Sequence, residues 1–341
     1  MLTHTYTTQR SLFILSGEDS TIPLGELDAL VKTYSSNAKI KIEGHRVALV
    51  EGDLDPAVVS KRAAYMRLGG IHIGSVDNPS EEEFRRLDFT KLPDFRSFAA
   101  RTYNFTDTDI KPDVEAALGH AVKQSFPSAK VSLKKPDMLV VGVSCEDAFH
   151  ICGVDTASTR RSWYHRRPRI RPFFHPSALY PKFARLLVNL AQIKEGELLL
   201  DPFCGTGSIL IEAGVIGIRS WGIDISRRMC TGALRNLKHF DISSSGIVSG
   251  DASHLQLVRV DGVSTDLPYG RASSTHKRKI GVIAEDLMDN LEALLPKGRY
   301  ACIVHPHYAS IPEGRRFEQV QEHKIYIHRR LTRTITLLKR V

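Results

Sequence analysis

Residues 198–214 read LLLDPFCGTGSILIEAG. Three leucines lead into Asp201, a turn holding Gly205 and Gly207 follows, and an apolar helical stretch opens near the second glycine. An unbroken apolar run entering such a turn suits a strand buried on both faces, as in a parallel sheet. Glycine lets the backbone approach a ligand where a β-carbon would intrude, and the helix start beyond it favours a negatively charged group. The stretch therefore sits at the carboxyl end of the first strand of a doubly wound sheet. It lacks the Gly-Lys-Ser/Thr ending of a P-loop and the full GxGxxG of a dinucleotide loop. Alone, it is also compatible with a tight turn that binds nothing.

Downstream residues restrict that choice. RSWGIDIS (219–226) reads as a short strand ending in Asp224, 23 residues after Asp201. An acid at that spacing can accept hydrogen bonds from ribose hydroxyls. Asp251, in SGDAS, ends the next strand and can accept from an adenine amine. Three acids at successive strand ends describe a nucleoside-shaped pocket, with a nicotinamide dinucleotide still open. Residues 265–271, TDLPYGR, decide against it. The lone pair of an aromatic exocyclic amine is delocalised into the ring, so methylating it requires acceptors for both N–H groups. Asp266 supplies a carboxylate and Leu267 a backbone carbonyl, which Pro268 aims without adding an N–H donor. Tyr269 can stack on the base. The chemistry is placement and desolvation, with no covalent intermediate.

Around these motifs the chain alternates strand and helix from about residue 176 onward, which argues for a parallel sheet with helices on both faces. Two extended runs, 318–327 and 332–340, follow each other without a helix and predict a closing hairpin with one antiparallel strand. The region from 95 to 155 reads as a smaller α/β unit. Residues 1–85 carry short strands, a helix over 56–66 and another beginning at Glu81, capped by Ser80.

Composition sets the outer limits. The 341 residues suit two or three domains, and no apolar run approaches the ~20 residues of a membrane span. Five cysteines without a CxxC pair point to reduced thiols and a cytoplasmic protein. Cys204 reads as a packing residue. His165, His175, His305 and His307 share no ligand spacing, so no metal is expected. The formal charge of +9 suits a polyanionic partner. Residues 159–175, TRRSWYHRRPRIRPFFH, concentrate Arg160, Arg161, Arg166, Arg167, Arg169 and Arg171 among aromatics. Such a mixture can neutralise phosphates and stack on bases. Lys134 and Lys135 are further candidate RNA contacts, as are Arg329, Arg330 and Arg333.

At these residues the chain resembles the class I amino-methyltransferases: DPFCGTGS is similar to their cofactor loop and DLPY to their [DN]PP[YF] motif. Leu267 departs from the more common proline but retains its carbonyl. As a whole, the chain resembles the archaeal tRNA (guanine(10)-N2)-methyltransferase family. RPFFHPSALYPKFARLLVNLA (171–191) resembles the element flanking the cofactor's methionine portion. FAARTYNF (98–105), KVSLKKPDMLVVGV (130–143) and FHICGVDTA (149–157) are similar to a THUMP domain, an RNA-binding module.

The resemblance implies a ferredoxin-like domain at 1–85, a THUMP domain at 86–157, a basic linker at 158–175 and a Rossmann-like methyltransferase domain at 176–341. It implies S-adenosylmethionine as cofactor and tRNA as partner. Asp201, Gly205 and Gly207 would lie at the methionine end, with Ser177 beside them, Asp224 at the ribose and Asp251 at the adenine. Asp266, Leu267, Pro268 and Tyr269 would hold the base. The competing expectations are another tRNA guanine, an adenine N6, and a catalytically silent RNA-binding scaffold. A monomer is expected; mono- against dimethylation and the need for an activating partner stay open.

Overall fold

The computed structural model describes residues 10–159, 162–243, 246–253, 259–268, 280–312, 316–329 and 331–341. The chain divides into two compact units, residues 1–161 and 162–341.

The first unit is built on strands β1 (Arg10–Leu15), β2 (Lys39–Glu43), β3 (Val47–Glu51), β4 (Met66–Val76), β5 (Ser97–Asn104), β6 (Lys130–Val131), β7 (Met138–Ser144) and β8 (Phe149–Asp155). They form one sheet in the order β2-β3-β1-β4-β8-β7-β5-β6. Helices α1 (Ile22–Tyr34), α2 (Pro56–Arg62), α3 (Glu81–Arg85) and α4 (Val114–Ser125) join them. Leu27, Leu30 and Val59 pack with Phe13 and Val50, while Phe84, Leu118 and Val122 pack with Phe98, Val140 and Ile151. Antiparallel pairing of β4 with β8, Ile71 opposite Gly153, makes the sheet continuous across the division drawn at residue 85. One expectation is corrected: the helix over 56–66 ends at Arg62. Strand β4 and helix α1 are further elements, beyond those the sequence pattern marked.

The second unit carries β9 (Leu198–Asp201), β10 (Arg219–Asp224), β11 (Gly246–Ser249), β12 (Gly262–Asp266), β13 (Tyr300–Pro306), β14 (Phe317–His328) and β15 (Leu331–Arg340). Their order is β11-β10-β9-β12-β13-β15-β14. The first five are parallel, and β15 runs antiparallel between β13 and β14. Helices α5 (Pro181–Leu190), α6 (Ser208–Val215), α7 (Arg227–His239) and α8 (Ile280–Leu294) cover the sheet. Leu199 and Leu200 are fully buried, as a central parallel strand requires. Strand order reverses between β9 and β12, and the crevice beyond the carboxyl ends of strands at such a switch point is where ligands bind in these folds.

Candidate functional site

Gly205 and Gly207 turn the chain out of β9 with φ of +52° and +79°, values that only glycine adopts cheaply. The Gly207 N–H closes the turn on the Cys204 carbonyl at 2.8 Å, and α6 begins at the next residue. Asp224, at the end of β10, clamps this loop: Oδ2 accepts from the Gly205 N–H at 3.0 Å and Oδ1 from the Ser226 N–H at 2.8 Å. Burial raises the Asp224 carboxyl, opposed by those two amides and the nearby charge of His175. Asp201 lies deeper. Its Oδ1 accepts from Thr265 Oγ1 at 2.7 Å and from the Phe203 N–H at 3.2 Å. Burial above all lifts its pKa to about 7.

One cavity of about 850 Å³ gathers these elements, lined by Asp201, Gly205, Asp224, Asp251 and Asp266 among others. Ser177 also lines it and shares a 2.7 Å hydrogen bond with His175 Nδ1. Asp251 is exposed two residues beyond β11, its Oδ1 accepting from the Ser253 N–H at 2.9 Å. Gly207 supports the turn from behind, its α-carbon facing Ala233 of α7. Among the described residues, an added β-carbon at Gly205 would meet only Met229 Cε, at 3.7 Å, which leaves the wall there room for a ligand. Burial pushes the Cys204 thiol well above its ordinary range, as suits a packing residue and not a nucleophile.

Asp266 ends β12, beside Val304 of β13. The Leu267 N–H donates to the Val304 carbonyl at 2.9 Å, and its side chain is buried among Ile283, Leu287 and Leu291 of α8. A leucine therefore anchors this turn through burial where a proline would stiffen it through φ. Pro268 lines the cavity behind it. Tyr269, Arg160, Arg161 and Arg330 lie outside the described residues.

The basic stretch is redistributed. Glu212 of α6 is fully buried and receives Arg166 through Nε (2.6 Å) and Nη2 (3.1 Å), with Arg185 Nη2 at 2.9 Å. Arg171 is buried, donating from Nη1 to Ser208 Oγ at 2.7 Å. Arg166 and Arg171, expected to contact phosphate, direct these donors to a carboxylate 46 residues on and to the start of α6, inside the second unit. Asn236 ties the same segment down, bonded to both N–H and carbonyl of Phe173 and to the Thr206 carbonyl. Arg167 stacks over Tyr164 at 3.8 Å, and Arg169, Lys134 and Lys135 are exposed.

Two residues at the site escaped the sequence reading. Thr265 holds Asp201, a role legible only once β12 is known to lie beside β9. Arg333 of β15 was a candidate RNA contact with no role assigned beside the acids, yet its Nη2 stands 3.6 Å from Asp266 Oδ2 and it lines the cavity.

Residues 168–333, which hold this open sheet and the acids at its switch point, match the family model described as "RMKL-like, methyltransferase domain", and the class is that of a methyltransferase. The chain is similar to the tRNA (guanine(10)-N2)-dimethyltransferase of Methanothermobacter thermautotrophicus, 31% identical over 97% of this chain and 99% of that protein. The protein of that name from Methanocaldococcus jannaschii is also 31% identical, over 96% and 99%. The crystal structure of TrmN from Thermus thermophilus shares the fold, with a TM-score of 0.53 and 19% identity over 97% of this chain and 100% of that one. The chain belongs to the tRNA (guanine(10)-N2)-dimethyltransferase family.

Proposed function

We propose that the protein methylates the exocyclic N2 of guanine-10 in tRNA, using S-adenosylmethionine. The observation that carries this reading is the convergence of the glycine loop, Asp224 and the Asp266–Pro268 turn on one cavity. The open wall at Gly205 and the carboxylate at Asp224 fit a nucleoside with an amino-acid tail, and Asp251 offers an acceptor for its base. When bound, that cofactor supplies an electrophilic methyl on a sulfonium. The chain's own residues do the rest. Asp266 and the Leu267 carbonyl accept the two N–H groups of the amine, turning its lone pair out of conjugation with the ring. Asp266 would take up the proton that the amine releases on methylation. The relatives' dimethyltransferase names support two successive transfers.

In the same reading the first unit grips the tRNA through exposed groups such as Lys134 and Lys135, with Arg169 adding to the grip from the second unit. A target base in a duplex must be extruded, at about a few kcal/mol. The test is transfer of labelled methyl from S-adenosylmethionine to unmodified tRNA, with the product nucleoside mapped by mass spectrometry after digestion. Asp266→Ala should abolish turnover while cofactor binding persists; loss of both together would count against its role.

A further inference from the structure

Asp266 and the Leu267 carbonyl are both acceptors, and acceptors alone receive the amine of guanine, adenine or cytosine equally well. Something else must recognise guanine. Beside its N2 amine, guanine presents an N1–H donor and then the O6 acceptor, so its edge asks for an acceptor followed by a donor. Asp266 Oδ2 and Arg333 Nη2, 3.6 Å apart and both on the cavity wall, form such a pair.

The arginine is held for this task. It leaves β15 opposite Pro306, two residues beyond the Val304 that pairs with Asp266, so its side chain crosses the end of β13. Its guanidinium also lies 5.7 Å from the ring centre of Phe183 on α5. A guanidinium carries five N–H donors, and arginine is a frequent partner of guanine O6 in nucleic-acid readout. Adenine, with its amine on the same two acceptors, sets the N1 lone pair against the carboxylate and offers the arginine only a C2–H where guanine has O6.

We infer that Arg333 is a specificity-determining residue that donates to guanine O6 while Asp266 accepts from the adjoining N–H groups. This rests on the guanine-N2 reading above. The test uses tRNA ligated to carry guanine or 6-thioguanine at position 10. The latter keeps the amine and N1–H and replaces O6 with a weak sulfur acceptor. Wild-type protein should favour guanine by about 10- to 100-fold in kcat/KM, the range of a good hydrogen-bonded base pairing. Arg333→Met should bring that ratio close to one with S-adenosylmethionine affinity unchanged, and Arg333→Lys should retain part of the preference.

An equal loss on both substrates, the signature of a structural arginine, would overturn the inference alone. So would a ratio that Arg333→Lys leaves untouched, which keeps the test decisive even where the methionine variant folds poorly. Wild-type protein that binds S-adenosylmethionine yet methylates neither tRNA would overturn the functional reading as well.

Discussion

Thr265 Oγ1 donates a 2.7 Å hydrogen bond to Asp201 Oδ1, so the penultimate residue of β12 holds the acid that closes β9. Burial raises this carboxyl from its ordinary 3.8 to about 7 despite that bond. Between those two values the native state keeps a proton that the unfolded chain has given up. Stability from this group is thus complete below about pH 4, falls as pH rises to about 7, and is flat beyond. Asp201→Asn should remove that decline, on the order of a few kcal/mol, in urea unfolding at pH 4.5 and 7.5. An unchanged difference between the two pH values would contradict the assignment.

Glu212 faces two arginines from full burial. Glu212→Ala would leave both guanidiniums without their carboxylate and should cost about 3–5 kcal/mol, read as a fall in the urea midpoint. A loss below about 1 kcal/mol would show that water reaches the cluster.

Gly205→Ala places a methyl group in a left-handed backbone conformation at the cavity wall. Strain of about 1–2 kcal/mol is expected, together with an approximately tenfold weaker S-adenosylmethionine affinity by calorimetry. Unaltered affinity would mean that the ligand does not approach this turn.

Replacing Lys134, Lys135 and Arg169 with alanine should weaken tRNA binding and lower the steepness of its salt dependence by about one for each phosphate no longer neutralised. Arg171→Ala should instead lower stability and leave the salt slope alone. The reverse pattern would restore Arg171 to the RNA surface.

What could be read in advance follows from how local each cause is. Asp201, Gly205 and Asp224 announce themselves because turn geometry and strand ends are written within a few residues. Strand β4 does not, since Gly69, Gly70 and Gly74 resemble turn punctuation. In the fold a β-carbon at Gly69 would stand 2.2 Å from the Phe13 ring, and one at Gly70 2.3 Å from the Gly153 carbonyl, so close packing chose these residues. Helix α1 was hidden by Pro23 and Gly25 in its first turn. The internal partners of Arg166 and Arg171 were out of reach for a related reason: a run of arginines reads as surface until Glu212 and Ser208, far along the chain, are seen to meet it. Arg333 reaches Asp266 only through the reversed order of the last two strands.

That reversed order also constrains assembly. Among the described residues, β14 bonds in the sheet to β15 alone, so its place in the sheet depends on β15 pairing with β13, whether or not the two strands have already met as a hairpin. The arginine facing Asp266 arrives with that same docking step. Under the proposed reading, base selection therefore depends on the same β13–β15 contact that joins the hairpin to the sheet.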